Sequence, residues 1–281
     1  MRTICHPSRG LDISRDQRVN QGLAEKPLIE TEKVTKRFGS LTAVDGVTFS
    51  VCEGEAVGII GPNGAGKTTF FNLLTGLFPP TEGRIRLSGN DITNTPPYKR
   101  VMLGIVRTFQ LVSVFDSLRA IDNLVLSHVR FNPDYNRGTS FFFRNFRQEE
   151  ILGPCREALK TMGIACEAEI MTSELSYGDK RKLEIAIALS LNPKILLLDE
   201  PFAGLSDVEI VEVLDLIGKV KEALTLIIIE HKISRIVDLV GRLSVMHEGR
   251  LLAEGTPREV LCNPAVREVY WGKEEGLACS V

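Results

Sequence analysis

The run GPNGAGKTT from Gly61 to Thr69, directly after the apolar segment EAVGII, constrains this chain more than any other feature. It matches G-x-x-x-x-G-K-[ST], in which glycines let successive backbone N–H groups turn inward around phosphate oxygens where a buried strand feeds a helix. Gly61, Pro62, Asn63, Gly64, Ala65 and Gly66 form the cradle, Lys67 neutralises the terminal phosphates, Thr68 offers its hydroxyl to Mg²⁺, and Thr69 follows in the helix. A glycine-rich turn opening an ordinary helix would explain part of this spacing. It would not explain the full glycine spacing together with the Lys-Thr-Thr ending and the strand before it.

The segments around the loop fix the fold class. LIETEKVT and AVDGVTFS read as two strands of an antiparallel layer joined by the turn-like FGS, and Lys67 to Gly76 reads as the helix of the phosphate loop. RIRLSGNDI reads as a short hairpin, and IVRTFQ as a strand ending at Gln110. Beyond it the pattern turns helical, which predicts a separate helical lobe over about 112–190 with a polar and aromatic insertion, HVRFNPDYNRGTSFFFRNFRQEE. DKRKLEIAIALSL and VEIVEVLDLIGKVKEA have helical periodicity, while ILLLDE and LTLIIIE are continuous apolar runs of the kind buried on both faces of a parallel sheet. The expected fold is α/β, a parallel-sheet core with an antiparallel β subdomain and an α-helical subdomain.

Four further positions carry candidate chemistry. Asp199 ends the strand ILLLD, where it is placed to hold Mg²⁺ through water, and Glu200 beside it would polarise an attacking water. A buried strand ending in solvated acids would look the same without the phosphate loop. His231 follows LTLIIIE at another strand end, so its imidazole would donate to a terminal phosphate, although a lone histidine is more often structural. Gln110 gains meaning only from its place among these. LSYGD, Leu175 to Asp179, precedes a helix that Ser176 would cap in any case. With Gly178 it also makes an anion site far in sequence from Lys67, which suggests a nucleotide shared between two subunits.

These runs, in this order, resemble the ATP-binding subunits of ABC transporters over about residues 28–272: Gly61 to Thr68 resembles the Walker A motif, Gln110 the Q-loop, Leu175 to Asp179 the signature, Ile195 to Asp199 with Glu200 the Walker B, and His231 the switch histidine. The resemblance implies a P-loop ATPase of the ABC type that binds ATP and Mg²⁺. Lys67, Glu200 and His231 would be its catalytic residues; Thr68, Gln110 and Asp199 would hold Mg²⁺; Ser176, Tyr177, Gly178 and Asp179 would meet the partner's ATP. Phe38 in KRFGSLTAV matches the position where the family stacks a ring on adenine, the bland reading being a turn-flanking core residue. Asp179 stands where the broad family has Gln, and Ser206 where many members have an Asp. Lys232 is also unusual and has no assigned role.

RTFQ, LSYGDKRKLEIA, EPFAGL and GTPREVLCNPAVREVYWG are similar to the branched-chain amino acid importer ATPases, with urea and amide importers close behind. The resemblance implies partnership with membrane permeases and a second homologous ATPase, an indirect link to an extracytoplasmic solute-binding protein, and a peripheral place on the cytoplasmic face of the membrane. The competing readings are a soluble ABC ATPase of repair or translation, and a regulatory subunit with little turnover. The first lacks support from any long coiled-coil insertion or second cassette. The second sits poorly with Glu200 and His231.

Composition narrows the field. A formal net charge of −2 over 281 residues gives no basic excess for nucleic acid. Cys5, Cys52, Cys155, Cys166, Cys262 and Cys279 contain no C-x-x-C pair, against zinc and against a disulfide framework. The longest apolar runs are strand-sized, so no membrane span is expected. Residues 1–26 read as a flexible leader, 27–272 as the ATP-binding unit, and 273–281 as a tail too short for a regulatory domain. Phe141, Phe142, Phe143 and Phe146 read either as local core or as a membrane-partner contact.

Overall fold

The computed structural model describes residues 26–131 and 149–271. The expected leader up to residue 25, nearly all of the aromatic insertion including Phe141, Phe142, Phe143 and Phe146, and the tail lie outside the described residues.

Two sheets organise the chain. Strands β1 (Pro27–Phe38) and β2 (Leu41–Cys52) pair antiparallel, and β4 (Glu82–Leu87) joins the other edge of β1 and carries the two-residue β5 (Asn90–Asp91), giving the order β2-β1-β4-β5. The second sheet has the order β10-β9-β3-β8-β7-β6, built from β3 (Ala56–Ile60), β6 (Ile105–Arg107), β7 (Ile195–Asp199), β8 (Thr225–Ile229), β9 (Arg242–His247) and β10 (Arg250–Gly255). All its neighbours run parallel except β9 and β10. All five residues of β7 and all five of β8 are buried, as continuous apolar runs in a parallel sheet must be.

Helix α1 (Lys67–Thr75) follows β3 through the phosphate loop and ends at Gly76, whose φ of 76° is the left-handed conformation that stops a helix there. Its last turn is pinned by Arg100 of α2 (Pro97–Met102). That fully buried guanidinium donates to the carbonyls of Leu73, Leu74, Ile92, Thr93 and Thr95. Burial pulls its pKa down to about 10, and these donations keep an otherwise costly interior cation in place.

The helices α3 (Ala120–Phe131), α4 (Glu149–Thr161) and α5 (Tyr177–Ser190) pack on one another. Their apolar faces share a single cluster with β7 and β8: Leu124, Leu159 and Leu183 belong to the same packed group as Leu196, Leu198 and Ile228. Helix α6 (Asp207–Val220) connects β7 to β8, and α7 (Pro257–Cys262) and α8 (Pro264–Trp271) close the described chain.

One expectation needs correction. The strand predicted to reach Gln110 stops at Arg107. Thr108 still donates its N–H to Leu197, but Phe109 turns its N–H to the Glu184 carboxylate, and the carbonyls of Phe109 and Gln110 accept from Arg181. Side chains of α5 therefore replace the ladder partner, and the strand ends three residues early.

Candidate functional site

The strand order explains why residues scattered over 170 positions meet. β3, β8, β7 and β6 are consecutive parallel neighbours, so their carboxyl ends lie side by side. The phosphate loop leaves β3, His231 stands two residues past β8, Asp199 ends β7 with Glu200 next, and Gln110 follows β6. Ligands of open α/β sheets bind at this end of the strands. A cleft of about 640 Å³ opens there, lined by Asn63 to Thr69, Gln110, Glu200 and His231, with Leu41, Thr42, Ala43, Glu248 and Gly249 on the side of the antiparallel sheet.

Local sequence shapes the loop. Gly66 precedes α1 at φ 97°, and a Cβ there would stand 2.3 Å from the Ala43 carbonyl oxygen, so β2 can close over the loop only above a glycine. Lys67 is buried, and its ammonium donates to the carbonyls of Gly61 at 2.7 Å and Pro62 at 2.9 Å. Burial lowers its pKa, opposed by the charges of Glu200 and Asp199. The Thr68 side chain is exposed toward the cleft.

Three predicted residues join directly. The Gln110 amide donates to one Glu200 oxygen at 2.9 Å, and the other lies 2.6 Å from Nε2 of His231. Glu200 holds a φ of 49°, a left-handed backbone that costs a non-glycine residue about 1–2 kcal/mol. Such strain persists where the surroundings over-determine it, most often at functional sites.

Asp199 lies beneath them, 2% exposed. Its Oδ2 accepts from Arg107 at 2.5 Å, while Oδ1 is buried with no hydrogen-bond partner among the described residues. An orphaned anionic oxygen inside a protein calls for a positive or donating group. Asp199 is not part of the cleft lining, but its charge is felt by Lys67, the neighbour of Thr68, and carboxylate and hydroxyl oxygens of this kind are the chemistry Mg²⁺ prefers.

Other predicted residues lie elsewhere. Phe38 is half exposed and packs edge-on against Phe78, with 5.5 Å between ring centres; the cleft wall is built from Leu41, Thr42 and Ala43 instead. Ser176, Tyr177, Gly178 and Asp179 lie outside the cleft lining. Ser176 caps α5 by accepting from the Asp179 N–H, and its hydroxyl donates to the Asp179 carboxylate, which also receives Lys182. Glu209 is held low in pKa chiefly by Ser206 and also by the Gly178 N–H. Ser206 itself caps α6 in a reciprocal box with Glu209, so the residue that departs from the family pattern has a local structural use.

Sequence reasoning missed four participants. Arg107, which donates to Asn72 as well as Asp199, was seen only as part of RTFQ, although a charge ending an apolar strand was a visible signal. Arg181 and Glu184 entered only as part of LSYGDKRKLEIA, although they share a helical face with the buried Ile185 and Ala188. Glu230, buried beside His231 and accepting its N–H, has its pKa raised by that burial.

Comparison with known proteins agrees with this arrangement. Residues 44–203 match the ABC transporter family, and residues 250–275 match the family described as branched-chain amino acid ATP-binding cassette transporter. The chain is 39% identical, over 88% of its length and 99% of the relative's, to the high-affinity branched-chain amino acid transport ATP-binding protein BraF of Pseudomonas aeruginosa. It superimposes with a TM-score of 0.77 and 33% identity on the ADP conformation of an ATP-binding cassette of an ABC transporter, covering 88% of this chain and 99% of that one. A dimeric ATP-binding cassette in a post-hydrolysis state with ADP and phosphate gives a TM-score of 0.68 at 26% identity, covering 82% and 98%.

Proposed function

Because this chain belongs to the ABC transporter family, we propose that it is the ATP-hydrolysing subunit of an importer for branched-chain amino acids. The observation that supports it best is the junction of Gln110, Glu200 and His231 at the mouth of the phosphate-loop cleft. The carboxyl-terminal match over residues 250–275 and the likeness to BraF support the solute class.

Hydrolysis of a terminal phosphate needs charge neutralisation and a positioned water more than covalent help. In this reading Lys67 exchanges the carbonyls of Gly61 and Pro62 for phosphate oxygens. The amides of the loop hold the remaining oxygens, and Leu41 and Thr42 line the side of the base. Glu200 accepts a hydrogen bond from the attacking water and orients it. Gln110 and His231 fix the two carboxylate oxygens and carry the phosphate's presence to their own segments. Thr68, Gln110 and Asp199 would hold Mg²⁺, which supplies charge that offsets the anion built up in transfer. Arg107 holds Asp199 by one oxygen and leaves the other for that group.

A second ATPase subunit would face the Ser176 to Asp179 edge, as the likeness to a dimeric cassette suggests. Membrane permeases are the partners that membership of an ABC transporter implies, and the chain sits peripherally on their cytoplasmic side. No helix among the described residues is long and apolar enough to cross a membrane.

The test is an affinity pull-down of the native protein from solubilised membranes, followed by reconstitution and uptake of leucine, isoleucine and valine. Recovery with two permeases and a second ATPase, and ATP-dependent uptake of these amino acids, is expected. Uptake of urea or amides instead would reassign the solute. Steady ATPase activity with no membrane partner would overturn the importer reading.

A further inference from the structure

We propose that Arg181 is a positioning residue for hydrolysis: with Glu184 it clamps the backbone of Phe109 and Gln110 to α5 and so fixes where the Gln110 side chain meets Glu200. The inference rests on the reading of Gln110 as a residue of the nucleotide site.

The contacts hold three successive peptide groups around Phe109 and Gln110. Nη1 of Arg181 donates to the Phe109 carbonyl at 2.8 Å and Nη2 to the Gln110 carbonyl at 2.7 Å. Glu184 accepts the Phe109 N–H at 3.1 Å through one oxygen and binds Arg181 at 2.8 Å through the other. Arg181 is fully buried and Glu184 nearly so. A buried arginine of this kind needs a carboxylate and planar acceptors matched to its fork, and here the acceptors are the two carbonyls that the β-ladder has just released. Holding a segment this way is worth having only if its position matters, because a desolvated ion pair is not in itself an efficient stabiliser.

The clamp has a second consequence. Arg181 lies five residues after Ser176 on the helix whose first turn would meet the partner's nucleotide. Any shift of α5 on contact with that nucleotide is therefore passed to Gln110 through two hydrogen bonds rather than through a flexible loop.

The experiment measures steady-state ATPase of the full chain, with its ATPase partner where turnover requires one, for Arg181→Met, Arg181→Lys, Gln110→Ala and the Arg181→Met/Gln110→Ala double variant. Misplacement of a positioning group is expected to lower kcat about tenfold or more in Arg181→Met, with KM for ATP within about twofold. Arg181→Lys, able to reach one carbonyl, recovers part of the loss. The double variant falls no further than Gln110→Ala, since both act through one side chain. Multiplicative losses, or an unchanged kcat in Arg181→Met while Gln110→Ala is impaired, would overturn the clamp. A silent Gln110→Ala would overturn the reading of Gln110 beneath it. Should Arg181→Met not fold, Glu184→Gln takes its place. Faster hydrogen exchange at the Phe109 amide with lowered kcat is expected there, and unchanged exchange with unchanged kcat refutes the proposal.

Discussion

The two edges proposed to meet phosphate, the cleft and the start of α5, are in opposite states of readiness. At the cleft, Lys67 rests on two carbonyls that phosphate can replace, and Asp199, buried behind the lining next to Glu200, keeps an oxygen without a partner among the described residues. At the start of α5, Ser176 and Asp179 satisfy each other, Lys182 joins them, and the Glu209 carboxylate lies against Gly178. The first edge is built to take a ligand by itself. The second has the Ser176 hydroxyl and the Asp179 N–H engaged within the chain, so a ligand there must displace those contacts, and that favours arrival on a second protein surface that supplies further contacts.

The contrast can be broken most severely at Glu200. Glu200→Gln keeps the shape of the cleft, so MgATP binding should persist while turnover falls about 10²–10⁴-fold. Phosphate release with parallel nucleotide binding measures both, and undiminished turnover would remove Glu200 as the water-orienting group. Lys67→Ala should weaken ATP binding about 10–100-fold, because a charge-assisted hydrogen bond to a desolvated anion is lost. Titration with a fluorescent ATP analogue reads it. Ser176→Ala sharpens the comparison from the other side. ATP affinity of the single chain should stay within about twofold, while turnover of the paired ATPase drops about tenfold, the cost of roughly one hydrogen bond to a charged group. Loss of single-chain affinity would place Ser176 in the cleft after all. Smallest is Ser206→Ala, which removes the cap of α6 and should lower stability by about 1 kcal/mol without altering nucleotide affinity, as urea unfolding would show.

How much of this was visible beforehand follows from the range of each interaction. The phosphate loop, the N-cap at Ser176 and the apolar runs of β7 and β8 are local patterns, and the structure places each where the sequence did. Glu200 and His231 stand at strand ends, which converge in a parallel sheet, and the two side chains do meet. Three arginines not singled out by the sequence act over long separations, Arg107 with Asp199, Arg181 with Phe109 and Arg100 with Leu73, whereas Glu230 answers its own neighbour His231. A buried arginine answering a backbone carbonyl leaves no periodic trace, since the carbonyl belongs to every residue alike. The end of β6 was misjudged for the same reason, because the competitor for its ladder lay some seventy residues away in α5.

The left-handed backbone at Glu200 also has an evolutionary reading. Glycine and asparagine adopt that conformation at little cost, so either would relieve the chain there while abolishing the carboxylate that the cleft is arranged around. Selection for heat resistance alone would thus push this position toward residues that cannot do its chemistry. A copy of this chain released from its task should drift first at the residue that the working protein can least spare.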